Sequence, residues 1–386
     1  MIKELTIENT RIPEGWCSDK LDTLCDVEYG TRVVRKRDGG TIYPVYGGGG
    51  ATFFMDTFNR KNCLVVARFA MSEKCTRFIN GKFFLNDSGL SVKPKDTDIV
   101  SQEFLNKYFI FLNDYIYSLA RGAAQKNLNV PAFRKIEILY PESLTKQRQI
   151  VATLDKAFTA IDRVNANVEE NLQNTKELFE SYLQNVFKNK GDDWEEKTIG
   201  DIGKPSMCKR ILKEQTSSDG DIPFYKIGTF GKVPNAYISK ELYEEYKSKY
   251  SFPKKGDVLI SASGTIGRRV IYDGEPAFFQ DSNIVWINND EKQVLNKFLY
   301  IFYGFCDWQP SKGATISRLY NANLKSIKIT FPKLLQEQQR VIQKIEVISK
   351  ETKKLESIYK QKLVDLQEMK KSILQKAFSG QLKNVS

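Results

Sequence analysis

The 386-residue sequence contains no histidine. That single absence removes Ser-His-Asp and Cys-His nucleophile systems, histidine general bases and histidine-ligated zinc. No G-x-x-x-x-G-K-[ST] phosphate cradle occurs either. The four glycines at 47–50 are followed by neither a lysine nor G-x-G-x-x-G spacing, so they read as a tight or flexible loop. The six cysteines, Cys17, Cys25, Cys63, Cys75, Cys208 and Cys306, form no C-x-x-C pair. They read as reduced core residues, not as a zinc knuckle or a disulfide framework. Long hydrophobic runs are lacking too: FLYIFYGF at 298–305 is far too short for a membrane span, and MIKELTIENTR at the start has no apolar leader segment. The expected location is therefore the cytoplasm. Glu195, Glu196 and Lys197 resemble the acidic-plus-lysine signature of metal-dependent nucleases, but no placed Asp accompanies them.

What is present begins with charge. Lys and Arg number 59 against 47 Asp and Glu, a net charge of +12 that favours a polyanionic partner such as nucleic acid. Apolar residues make up 41%, with 24 Phe and 18 Tyr to build cores, and the length exceeds what one hydrophobic core usually serves. Two domains are expected.

An internal repeat divides the chain accordingly. GAAQKNLNV at 122–130 returns as GATISRLYN at a constant offset of 191 positions, and the register holds to the end of the chain. Matched pairs include Leu128 and Leu319, Ile136 and Ile327, Pro141 and Pro332, Gln147 and Gln338, and Phe187 and Phe378. Upstream the offset varies: GWCSDKLDTL answers DWEEKTIGDI, IYPVY answers DIPFY, and FFLNDSGLSV answers FFQDSNIVWI. Short β-branched runs such as CLVVA, DVLISA and NIVWI, broken by Gly, Asn and Asp, predict a mixed sheet with long loops in the first part of each half.

Each half then changes character. No Pro or Gly occurs from Thr145 to Lys188, and apolar or small residues recur at Ile150, Leu154, Ala157, Ile161, Val164, Val168, Asn171, Thr175, Leu178 and Tyr182. The second copy repeats the steps at Val341, Ile345, Ile348, Thr352, Leu355, Tyr359, Lys362, Leu366, Met369 and Ile373. A 4-3 spacing kept this long predicts a helix of about 60 Å with a coiled-coil seam, whose natural partner is the other copy. The fold class expected is α+β: two mixed α/β domains separated by two long helices packed as an antiparallel coiled coil. The boundaries are 1–144 and 191–335 for the domains, and 145–190 and 336–386 for the helices. The second copy ends where the repeat would next require a Trp-containing domain start, which Trp16 supplies, so the arrangement is a circular pseudo-twofold repeat with its ends close together.

The variable loops hold the donor-rich residues that contact phosphates and base edges. In the first half these are Tyr46, Arg68, Lys74, Arg77, Arg121, Gln125, Lys126 and Asn127. In the second they are Lys226, Thr229, Lys232, Ser263, Thr265, Arg268, Lys312, Thr315, Ser317, Arg318 and Asn321. A solvated surface charge is the competing account for any one of them.

The order of these features resembles the specificity (S) subunit of type I restriction-modification systems over essentially the whole chain. The residues that carry the resemblance are IGDIG, GTIGRR, QKNLN before a strand and Pro, the Gln-rich helix starts KQRQIV and EQQRVI, and the terminal LQKAFSG. The resemblance implies two target recognition domains that each read one part of a split, asymmetric site in double-stranded DNA. It implies helices that act as a ruler and as the docking surface for two methyltransferase (M) subunits, with restriction (R) subunits joining through them. Adenine methylation and cleavage, with S-adenosylmethionine and ATP/Mg, would belong to those partners. This chain would then be non-catalytic, with no cofactor, no metal and no membrane. The alternative that the residues leave open is a coiled-coil adaptor with an incidental basic surface.

Overall fold

A computed structural model describes residues 12–189, 191–308 and 318–381. The chain forms two compact units, Met1–Glu170 with Tyr359–Ser386, and Asn171–Ile358.

In the first unit a six-stranded sheet runs in the order Cys25–Tyr29, Gly89–Pro94, Arg60–Ala67, Thr76–Leu85, Tyr43–Tyr46, Phe53–Met55. All neighbours are antiparallel except Tyr43–Tyr46, which pairs parallel with the end of Thr76–Leu85. The CLVVA run is continuous because both faces are covered. Leu64 and Val66 enter the main core with Phe104, Tyr108 and Ile138, whereas Cys63 and Val65 join a smaller cluster with Ile79, Phe83 and Leu85.

The second unit splits its strands into a four-stranded sheet, in the order Lys204–Ser206, Ile284–Asn288, Val258–Ser261, Arg269–Ile271, and a three-stranded one, Tyr237–Ile238, Ile222–Tyr225, Phe278–Phe279. The same alternation sorts its central strand: Val258 and Ile260 face one core, Leu259 the other.

A separate two-stranded ladder recurs in identical register. Trp16–Lys20 pairs antiparallel with Glu137–Pro141, Trp16 opposite Pro141; Trp194–Thr198 pairs with Lys328–Pro332, Trp194 opposite Pro332. Each proline is the last residue of its strand, where the missing N–H does least harm.

Two long helices follow these strands, Leu144–Lys188 and Leu335–Phe378. In the first unit, Ile150 and Leu154 of one share a core with Leu374, Ala377 and Phe378 of the other, while Lys370 pairs with Asp162. Contacts that run up one helix as they run down the other make the packing antiparallel. Every seventh expected seam position from Leu154 and from Ile345 is buried or half-buried. Between them Ile150, Ala157, Val341 and Ile348 are buried or half-buried as well. Farther along, Val164, Asn171, Leu178, Leu355, Lys362 and Met369 are exposed, Leu178 by 73%; the seam runs there one residue later, through Asn165, Leu172 and Phe179, and through Glu356, Leu363 and Lys370. A step of four residues advances 40° past a full turn and a step of three falls 60° short, so the later position lies nearer the stripe. Its polar members are Asn165, Thr175, Thr352, Glu356 and Lys370, not Asn171 and Lys362.

The ends of the repeat meet as expected of a circular one. Phe378 sits among Phe104, Tyr108 and Phe111 of the first unit, with ring centroids 5.5, 4.9 and 5.3 Å away. Phe187 sits among Phe298, Phe302 and Phe305 of the second at 5.2, 6.1 and 4.6 Å. Only the second helix carries the full terminal AFSG, yet both phenylalanines fill the same aromatic cage. Gly380 terminates its helix at φ +74, and a Cβ there would lie 2.8 Å from that of Pro13, so the described ends of the chain are neighbours.

Candidate nucleic-acid interface

In each unit the repeated loop crosses the end of the central strand through one shared bond. The Leu128 N–H donates to the Arg68 carbonyl at 2.8 Å, and the Leu319 N–H donates to the Ala262 carbonyl at 2.9 Å. Leu128 and Leu319 are buried, which anchors the loop, while the polar residues before them stay free to vary.

In the first unit the loop is a short hairpin, Ala120–Arg121 against Asn127–Leu128. Gly122 opens it at φ +108, and a Cβ would stand 2.2 Å from the Gln125 carbonyl oxygen, so the turn requires glycine. Asn127 Oδ1 accepts from the Ala70 N–H at 3.3 Å, and the Lys126 carbonyl accepts from the Met71 N–H at 2.9 Å. The loop that carries Lys74 is thereby brought beside the hairpin that carries Gln125 and Lys126, all three exposed.

An open cleft results, lined by Tyr29, Arg68, Phe69, Arg121, Asn127 and Asn129. Two further residues expected at the interface make contacts within the unit. Arg77 donates to the carbonyls of Gly48, Gly49 and Lys74, so it staples the glycine run into a tight loop. The half-buried Tyr46 packs its ring on Phe83 at 5.6 Å.

The second unit has a cleft of its own, lined by Arg210, Lys213, Lys226, Gln280, Asn283 and Arg318. Arg210 Nε donates to the Asp281 carboxylate at 3.0 Å. The buried Ser263 donates to Asn283 Oδ1 at 2.6 Å and bridges by its backbone to Arg318. Arg268 Nη1 donates to the Phe230 carbonyl at 3.0 Å, which fixes the turn that carries Lys226, half-buried Thr229 and exposed Lys232. Thr265 is exposed on the next turn, and Asn321 is exposed at the start of the helix Asn321–Ser326. Lys312, Thr315 and Ser317 lie outside the described residues.

Sequence reading missed Tyr29 and Asn129 in the first cleft, and Arg210, Lys213, Gln280 and Asn283 in the second. A signal existed. The loop after the second strand of each half is basic, RVVRKR at 32–37 and CKRILK at 208–213.

The acidic trio has a structural explanation. Lys197 Nζ lies 3.4 Å from Glu195 and donates to Gln293, and Lys328 pairs with Glu196 at 3.0 Å along the two-stranded ladder. Among the described residues no cluster of His, Cys, Asp or Glu has the arrangement of a metal site. Burial pushes the Cys25, Cys208 and Cys306 thiols up to about 12 and that of Cys75 up to about 11, away from any nucleophilic use. No helix among the described residues is long and apolar enough to cross a membrane.

The type I restriction modification DNA specificity domain matches the chain twice, at residues 13–174 and 191–364. A Haemophilus influenzae protein named as a type I restriction enzyme specificity subunit is 47% identical over 266 residues, 68% of this chain and 67% of its own length. Among solved structures, a chain from a study of complex assembly and conformational transition in a type I R-M system superposes with a TM-score of 0.76 at 17% identity, covering 96% of this chain and 100% of its own. The HsdS subunit from Thermoanaerobacter tengcongensis gives 0.56 at 17% identity, covering 98% and 100%. These two likenesses are of fold.

Proposed function

Because the chain belongs to the type I restriction-modification DNA specificity family, with the family's domain present twice, we propose that its two clefts each read one part of a bipartite site in double-stranded DNA. The observation that carries this is the shared loop anchor with different side chains around it. Leu128 and Leu319 make the same backbone bond, while Arg68, Arg121 and Asn127 surround one loop and Arg210, Lys226, Asn283 and Arg318 the other. A common frame with different donors is what two readers of different sequences require.

The domains are 1–144 and 191–335, and the spacer segments 145–190 and 336–386, which contain the long helices, set their separation. The long helices have a second role. Val164, Leu178, Leu355, Ile358 and Met369 are exposed apolar residues on them, which suits the docking of two methyltransferase subunits, with restriction subunits joining through these. S-adenosylmethionine and ATP/Mg belong to those partners, and the complex works in the cytoplasm.

Exchange of residues 191–335 for those of a relative tests the reading. One half of the methylated site should change while the other is retained. Sequence-specific binding should also weaken steeply with salt, as counterion release requires. An unchanged site, or binding indifferent to salt, would leave a protein-bridging adaptor as the better account.

A further inference from the structure

We infer that Arg68 is the side chain with which the first unit reads a guanine, an inference that rests on the DNA-recognition reading above. Its guanidinium lies over two rings, 4.8 Å from the centroid of Tyr29 and 4.3 Å from that of Phe69. Nη1 donates to the Asp87 carbonyl at 3.2 Å. The main chain is fixed as well, because the Arg68 N–H donates to the Ser88 carbonyl and its own carbonyl accepts from Leu128, both at 2.8 Å. An arginine so held has little rotamer freedom left to lose on binding.

A guanidinium carries five N–H donors, and one of them is committed here. Nε and Nη2 find no acceptor among the described residues, and no carboxylate pairs with the charge there. Arg68 lines the cleft, and this uncommitted edge offers two parallel donors of the kind that match O6 and N7 of guanine in the major groove.

Three other basic groups expected at this interface are built differently. Arg77 is committed to backbone carbonyls, and Lys74 and Lys126 are exposed charges on flexible stems, suited to phosphates. In the second unit Ala262 takes the place of Arg68, making the same bond to the repeated loop. Reading from this position is therefore confined to one half of the site.

The test uses the full chain co-expressed with its methyltransferase subunits and maps methylated sites genome-wide. The half-site of the first unit is the one retained when residues 191–335 are exchanged. It should contain a guanine, and a half-site without one would overturn the inference at once. Arg68→Lys keeps a cation over the rings but lacks the fork, so the fold should survive while discrimination at that one guanine falls about tenfold or more. Arg68→Gln should do the same, with the other half-site and the salt slope unchanged. Full specificity in Arg68→Lys, or a loss spread evenly over all sequences with a shallower salt slope, would identify a phosphate contact and defeat the assignment. A wild-type complex that binds no DNA selectively would instead defeat the broader reading.

Discussion

Gln147 is fully buried and donates from Nε2 to the carbonyl of Pro141 at 2.9 Å, tying the first turn of a long helix to the last residue of the strand before it. The same nitrogen reaches the Ile99 carbonyl at 2.8 Å, and Oε1 accepts from the Ser101 N–H at 2.9 Å. Gln338 makes the matching bonds, to Pro332 at 2.8 Å, Gln293 at 2.7 Å and Leu295 at 2.9 Å. Replacing either by Leu strands two carbonyls and an N–H inside the protein. Each stranded group costs about 1–3 kcal/mol, so we expect a loss of roughly 3 kcal/mol from the affected unit, read as a lower denaturant midpoint. Gln147→Glu adds a pH signature. A buried carboxylate facing two carbonyls has its folded pKa raised above the unfolded value, so stability should be best below about pH 4 and fall as pH rises. A flat profile would show that the amide is not the tie it resembles.

The helices should set distance. Removing one heptad from the middle of each preserves the seam and shortens the pair by about 10 Å, close to three base pairs of DNA. Methylation mapping should then show the same bases with a gap about three base pairs shorter. Altered bases across an unaltered gap would contradict a ruler.

Charges placed on the outer apolar positions should separate docking from DNA reading. Leu178→Glu and Met369→Glu alter residues exposed by 73% and 52%, so stability should change by no more than about 0.5 kcal/mol. Co-purification with methyltransferase subunits should weaken markedly, while DNA binding by the chain persists. Intact complexes from both variants would place the docking surface elsewhere.

Thiol chemistry offers a pH test of the cores. Cys25 and Cys208 have folded pKa values raised to about 12 by burial, against an ordinary value of 9.0. The unfolded chain therefore ionises first. The stabilising difference is complete below about pH 9 and disappears as pH climbs toward 12, so stability should decline across that window. At pH 8 the two thiols should resist maleimide until denaturant is added, which peptide mapping can follow; rapid labelling of the native chain would show that burial is incomplete.

How much of this was legible beforehand differs by residue. The recurring Trp, Pro and terminal Phe marked the ladder and the helix ends because they repeat at fixed positions with strong packing consequences. Gln147 and Gln338 were visible as a matched pair, but their role was hidden: a glutamine in a helix start reads as surface until the strand it binds is in place. The seam was half legible. Seven-residue spacing identified Leu154, Ile161 and Val168, yet Val164 beside Asn165 and Leu178 beside Phe179 offered two plausible positions per turn, and helix geometry selected the more polar or the bulkier. The clefts were the least legible. Arg68, Arg121 and Asn127 converge with Tyr29 through loop crossings that no local pattern records. Equally basic Arg77 turns out to brace a loop.

The aromatic cage around Phe378 also has a temporal meaning. Phe104 and Tyr108 emerge from the ribosome about 270 residues before the ring that covers them. At ~5–20 residues per second that is a delay of roughly 15 to 50 s. The cage of Phe187 suffers a shorter wait, its partners following within about 120 residues. Synthesis thus leaves the earlier-made unit the later one to be sealed, with an apolar socket open in every nascent chain, and a message truncated after Glu170 but before Phe378 yields a protein whose first half is already made but unfinished.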